Sequence, residues 1–401
     1  MDDKAALLCT ARDELVQGRA AEARAIFQRL LAEDERDAEA LLGMVRVELY
    51  TGDYAQARQL AERALTLRAG HLETEVLRAV AIEAQGDLAA AVELVRALAQ
   101  ANPGSCLANY HAGRLLAAVG QCDQALPYLE RATQFDGQHH ERQHYEITNL
   151  IGHILQRLGR YDEAARVHRR ALLMAPEKMD AYLGLSDALV ARGEIDGALT
   201  VLTQARKSAG EHPELLKKLG RLLGAKGNAQ GALQLAQRLC ELEPGNAGAW
   251  LDVAAFCLVV KDLQASERAA LRARELVPQS WQPHFHLGLV YDAWARPAKA
   301  EAAYRQAVER EPDSWEPANN LGLVLLGKGL PEAAAEAELL FRRAIELGGP
   351  EEIGPCVNLA LALGRQGKAR ECVAACGELL GRALPEAVRK RLQALEREHG
   401  V

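Results

Sequence analysis

Residues 150–176, LIGHILQRLGRYDEAARVHRRALLMAP, hold the organisation of the whole chain in 27 residues. Ile151 and Leu155 mark one face of a helix that ends near Arg157, Gly159-Arg160-Tyr161 reads as a turn, and a second helix runs from Asp162 to Leu173 before Pro176 stops it. Gly152 lies midway along the first helix, and Ala164 and Ala171 stand seven apart on the second. Small side chains at such positions let two helices cross closely. The unit is a helical hairpin. A lone hairpin cannot bury its apolar face, whereas a stack of hairpins makes one continuous core.

The chain repeats the unit. Turn residues fall at Gly18, Gly52, Gly86 and Gly120, each 34 after the last, then in a shifted phase at Gly159, Gly193, Gly227, Lys261, Ala295 and Gly329, and finally at Gly367. A small residue recurs near the start of each second helix: Ala23, Ala57, Ala91, Ala125, Ala164, Ala198, Ala232, Ser266, Ala300, Ala334 and Cys372. Helix-stopping prolines recur at Pro103, Pro176, Pro244, Pro278 and Pro312. Two irregularities break the phase: the His-rich residues 138–144, and about three extra residues around Ala333 to Leu340. Insertions in stacked repeats go to loops or extended helix ends. From Pro385, Val388, Leu392 and Leu395 form one apolar stripe on a helix that stops near Gly400, suited to cover the end of the stack. No comparable polar cap precedes Ala5, which leaves the N-terminal end as a place for self-association or for a partner.

This phasing resembles the tetratricopeptide repeat family, whose 34-residue pattern runs through Leu-Gly, Tyr, Ala, an aromatic, Ala and Pro. The ninth repeat carries Leu287, Gly288, Tyr291, Ala300, Tyr304, Ala307 and Pro312, and the fifth carries Gly152, Tyr161, Ala164, Ala171 and Pro176. Departures occur at Lys261, Ser266, Cys372, and at Glu75 and Arg78, where the family has large apolar residues. The resemblance implies an all-α, right-handed superhelical solenoid of about eleven repeats. Repeats one to four would span 1–137, the His-rich insertion 138–144, repeats five to eleven 145–380, and a capping helix 381–401.

Composition agrees with close-packed helices: 49% of residues are hydrophobic but only 4% aromatic, which points to an Ala/Leu/Val core. A net charge of −7 gives no general attraction to phosphate backbones or anionic lipid, so neither nucleic acid nor a membrane surface is expected as partner. Met1-Asp2-Asp3-Lys4 places acids where a secretory signal needs bases, and no apolar run is long enough for membrane insertion; the expectation is a cytoplasmic protein. The eight cysteines lack metal-knuckle spacing and mostly fall at core-facing positions, as small hydrophobes in a reducing compartment.

In the resembling family the first helices line a concave groove, which makes a protein or peptide segment the implied partner. The ninth position of each repeat reads Arg12, Arg46, Val80, Arg114, His153, Asp187, Arg221, Ala255, Leu289, Leu323 and Leu361, basic early and apolar late. Tyr110, His111, Asn149, Arg157, Lys217 and Lys218 lie around it in the earlier repeats, and Asp252, Phe285, His286, Asp292, Asn319, Asn320, Asn358 and Arg365 in the later ones. Such a face would grip a segment acidic toward one end and apolar toward the other, since arginine pairs carboxylates bidentately and asparagine both donates to and accepts from peptide backbone. The competing reading is a solvated face, its arginines paired across repeats with Glu39, Glu73 or Glu83. The family's chaperone-binding members use a clamp of Lys and Asn; Lys217 fits one place, but Arg221 stands where Asn is needed, and the clamp is not assembled.

The cluster His139, His140 and His144 raises a metal site, since His140 and His144 would share one helix face, but no third ligand is placed by spacing, and Cys372 and Cys376 occupy core phases. No metal or cofactor is expected. With no phosphate-binding glycine loop, nucleophile elbow or His-Glu-x-x-His, the chain reads as a non-catalytic scaffold or adaptor. The alternatives are a regulatory receptor for a short peptide or small ligand, and an accessory subunit of a separately encoded enzyme such as a glycosyltransferase.

Overall fold

A computed structural model describes residues 2–134, 141–349 and 351–400. Among them are 23 α-helices and no strand. The helices pair into eleven hairpins with one helix left over. Repeat one, for example, is Asp2–Val16 with Ala20–Glu33, repeat five Glu141–Arg157 with Tyr161–Met174, and repeat ten Trp315–Gly327 with Pro331–Gly348. The chain divides into two units, Met1–Gly210 with repeats one to six and Glu211–Val401 with repeats seven to eleven and the last helix. No helix among the described residues is long and apolar enough to cross a membrane.

Ten of the eleven turns between paired helices share one construction, the turn at Gly329 keeping only the positive φ. The turn residue takes positive φ, and the next N–H reaches back to a carbonyl five residues earlier, as Asp53 does to Glu48 at 2.9 Å. Where that next residue is Asp or Asn it also caps the second helix: Asp53 accepts from the Gln56 N–H at 3.0 Å, Asn228 from Gly231 at 2.9 Å and Asp262 from Ala265 at 2.9 Å. All nine turn glycines have positive φ, and Lys261 at 65° and Ala295 at 53° adopt the same conformation without glycine's freedom.

Small residues of the second helices sit at the helix crossings. From Ala23 to Cys372 all eleven are buried. The two polar replacements are satisfied identically: Ser266 Oγ donates to Ala254 O at 2.6 Å, and Cys372 Sγ donates to Ala360 O at 3.3 Å. Large side chains fill what remains. Phe27, Leu41 and Val45 anchor one core, and Tyr304, Leu321, Leu325 and Phe341 another. Leu392 and Leu395 of the terminal helix Glu386–His399 close the last hairpin against Cys372, Cys376 and Leu379.

The extra residues of repeat ten make no loop. They lengthen its second helix to 18 residues, where 14 is usual, and this extra turn points Glu338 inward. The carboxylate is 5% exposed and receives Lys368 Nζ at 2.7 Å, Gln366 Nε2 at 2.7 Å and the Arg342 guanidinium. Burial lifts its pKa, but these donors outweigh that effect and hold it below the usual carboxylate range. Repeats ten and eleven are thereby tied together.

Candidate functional site

Within the first unit the first-helix face is a ladder of ion pairs. Arg12 meets Glu39 at 2.8 Å, Glu39 also takes Arg68 at 2.7 Å, and Arg46 pairs with Glu73. Arg114 grips Glu83 through both guanidinium nitrogens, Nη1 at 2.8 Å and Nη2 at 2.5 Å. The basic stripe is thus neutralised from within. Burial lifts the Tyr110 hydroxyl above its ordinary pKa, and burial with the Arg114 charge pushes His111 down to about 4. Arg157 donates to the backbone carbonyl of Ala117 at 2.8 Å.

Asn149 and His153 belong to a buried polar knot whose centre is His168, in the second helix of repeat five. His168 is fully buried, at the phase where Phe27, Tyr304 and Phe341 stand elsewhere. Two glycines make room for it, Gly152 of its own hairpin and Gly184 of the next; a Cβ at Gly152 would lie 2.5 Å from the ring. Its Nδ1–H donates to Asn149 Oδ1 at 3.0 Å, which leaves Nε2 an acceptor with no donor, and the His153 ring stands edge-on at 5.0 Å. Burial, with a smaller contribution from His153, pushes its pKa down to about 3. Sequence reading placed Asn149 and His153 on the face and missed His168, although the facing glycines were its signal.

The second unit differs. Lys217 lies 3.7 Å from Glu214, and Arg221, 61% exposed, is 3.9 Å from Asp252. Burial raises the Asp252 carboxyl, and the Arg221 and Lys217 charges oppose that rise. Lys218 also has a polar partner. Farther along, the face is apolar: Val259 is 66% and Leu323 41% exposed, while Phe285, Leu289 and Leu361 are half-buried against the core. Burial pushes His286 down to about 4. Asn319 and Asn358 are buried and bonded to each other at 2.9 Å, and Asn320 lies 3.3 Å from Asn319.

His139 and His140 lie outside the described residues, and His144 stands 3.4 Å from Arg170. Among the described residues no three His, Cys, Asp or Glu side chains gather as metal ligands. Cys372 and Cys376 are fully buried, and burial lifts the Cys376 thiol to about 12.

A tetratricopeptide repeat family model matches residues 15–80 and 155–222, and a second one matches 285–349. The chain is a member of the tetratricopeptide repeat family. It is 28% identical over 235 residues to cellulose synthase operon protein C of Xanthomonas axonopodis pv. citri (strain 306), a match covering 54% of this chain and 16% of that much longer protein. Among solved structures, a tetratricopeptide repeat protein from Parabacteroides merdae is 19% identical, covering 64% of this chain and 97% of its own, with a TM-score of 0.51. The C-terminal part of a repeat protein from Cytophaga hutchinsonii is 15% identical, covering 62% and 99%, with a TM-score of 0.52. At these identities the two structures speak for the fold alone.

Proposed function

We propose that the chain is a non-catalytic interaction scaffold that captures a partner segment on the first-helix face of repeats seven to eleven. The observation supporting this reading is the apolar run at the ninth position, the exposed Leu323 between the half-buried Leu289 and Leu361, with the exposed Val259 one turn beyond that position in repeat eight. Apolar surface gains about 25 cal/mol per Å² on leaving water, so a docking segment would draw its affinity there. Lys217 and the loosely held Arg221 stand at the repeat-seven end of that face. A partner with acidic residues toward that end and apolar ones beyond it fits both chemistries. In the first unit an acidic segment would have to displace carboxylates already bonded to Arg12, Arg46 and Arg114.

The test is capture from native lysate by the full chain and by a Val259→Glu/Leu323→Glu variant, both checked for folding by circular dichroism. The expected result is a partner held at least roughly 100-fold more weakly by the double variant, and retained by Arg46→Gln. A partner lost with Arg46→Gln and kept by the double variant would defeat the reading. A second reading is favoured by the similarity to a cellulose synthase operon protein: the partner would be a separately encoded glycan-synthesising enzyme, to which this chain is an accessory. Co-purification with such an enzyme decides it.

A further inference from the structure

The second helix of repeat four and both helices of repeat five enclose a cleft of about 380 Å³. That is the lower end of the range for small-molecule sites. Its apolar lining is Ile151 and Leu155, both nearly buried, and the half-buried Val167. Glu130 lines it from repeat four, and Glu163, Arg166 and Arg170, at successive turns of one helix, line it from repeat five; Glu163 is already held by Arg160 at 2.7 and 2.8 Å. Among the described residues Glu130 and Arg166 close no salt bridge, although Arg160 feels the Glu130 charge and Glu163 that of Arg166, and Arg170 stands 3.4 Å from His144. At the corresponding junction of repeats nine and ten, Arg305 and Glu336 close directly on each other at 2.8 Å. Here charges of both signs share a cleft instead.

We propose that this cleft binds a small zwitterion with an aliphatic side chain, its carboxylate on Arg166 and Arg170, its ammonium on Glu130 and its side chain on Ile151, Leu155 and Val167. Two guanidiniums on one helix face suit a carboxylate because their N–H forks donate to both of its oxygens. An anion alone would leave Glu130 unpaired beside it, and a cation alone would leave the arginines so. A free apolar amino acid and a short apolar peptide share this chemistry. The site is separate from the proposed partner face, so either can fail without the other.

The experiment is calorimetric titration of the full chain with L-leucine and with L-leucyl-L-leucine, alongside N-acetyl-L-leucine and L-leucinamide, which each lack one charge. The expected result is binding of one or both zwitterions, with each singly charged analogue about 10-fold or more weaker. Arg166→Ala/Arg170→Ala should weaken the zwitterion by at least about 10-fold, and Glu130→Gln should weaken it while binding N-acetyl-L-leucine no less tightly than wild type, the repulsive carboxylate being gone. The arginines and Glu130 are exposed, so these variants keep the fold, which circular dichroism checks. Preference for leucine over the dipeptide identifies a free amino acid as ligand; the reverse identifies a peptide. Absence of heat with both zwitterions up to about 10 mM, or affinity unchanged in the arginine variant, overturns the proposal.

Discussion

The two units share a construction and differ in how their first-helix faces and turns are completed. In repeats one to six every turn takes glycine, and the face charges meet partners of this same chain, Arg12 with Glu39 and Arg114 with Glu83. In repeats seven to eleven two turns are built without glycine, at Lys261 and Ala295, and the face leaves Val259 and Leu323 in water. A basic stripe in a repeat sequence therefore does not by itself indicate an acidic ligand. An exposed pair such as Arg12–Glu39 contributes only about 0–1 kcal/mol, while the part-buried, bidentate Arg114–Glu83 holds more firmly; together they neutralise the face. Exposed apolar side chains end first helices in both units, Val16 and Tyr50 in the first and Val259 in the second; what sets the second unit apart is the apolar run at the ninth position, Ala255, Leu289, Leu323 and Leu361, which has no such internal answer.

The largest effect should come from the second unit's one buried carboxylate. Glu338→Ala leaves Lys368, Gln366 and Arg342 without their common acceptor; Lys368 and Arg342 are 40% and 46% exposed and stay solvated, so the cost is that of the lost charged hydrogen bonds, about 3 kcal/mol. Hydrogen exchange should show the loss in repeats ten and eleven and not in repeats one to six. Equal loss in both units would erase the distinction between them. The pH dependence follows from the depressed pKa: the stabilisation is complete above the unfolded value of 4.5 and fades as pH falls through the lower folded value. Glu338→Gln should therefore flatten the acid limb of unfolding below about pH 4.5.

His168 gives the first unit its own acid limb, at higher pH. Its folded pKa of about 3 lies below the ordinary 6.5, so the unfolded chain takes up the proton first, and stability drains away as pH falls from 6.5 toward 3. His168→Phe should gain about 3 kcal/mol on wild type at pH 4 and differ from it by less than about 1 kcal/mol at pH 7. The neutral-pH near-balance has two sides: phenylalanine removes the unpartnered Nε2 but strands the Asn149 carbonyl. Denaturant unfolding at the two pH values checks it, and parallel acid limbs would show that His168 is not the group responsible.

The hairpins were legible because backbone geometry imposes their marks in every copy: a positive-φ turn residue, a small residue at the crossing, a helix stop. The completion of the face was not legible. Arg12 finds Glu39, 27 residues ahead, whereas Arg114 turns back 31 residues to Glu83, and that choice is made by rotamers across neighbouring helices. The three extra residues of repeat ten were visible as a broken phase. That they would extend a helix and turn Glu338 inward depends on what Lys368 and Gln366 of the next repeat offer it. His168 was visible in principle, since it stands at the aromatic phase with a glycine on either side.

The smallest effect tests the turns themselves. Lys261 and Ala295 hold positive φ against the repulsion between Cβ and the carbonyl oxygen, while Asp262 and Arg296 still make the same reach-back bonds at 2.9 and 2.8 Å. The neighbouring structure therefore imposes the conformation, and the side chain resists it. Lys261→Gly and Ala295→Gly should each raise stability by about 1 kcal/mol, the relieved strain exceeding the entropy glycine adds to the unfolded chain. The reverse exchange in the first unit, Gly193→Ala, places a Cβ with nothing within 4 Å, so any loss there is backbone strain and not a clash. It should lower stability by about 1–2 kcal/mol. Denaturant midpoints that move up in the second unit and down in the first would show that the two units differ in turn residue and not in turn geometry. If the glycine variants lose stability instead, the entropy of the unfolded chain outweighs the strain, and Lys261 and Ala295 already suit their places.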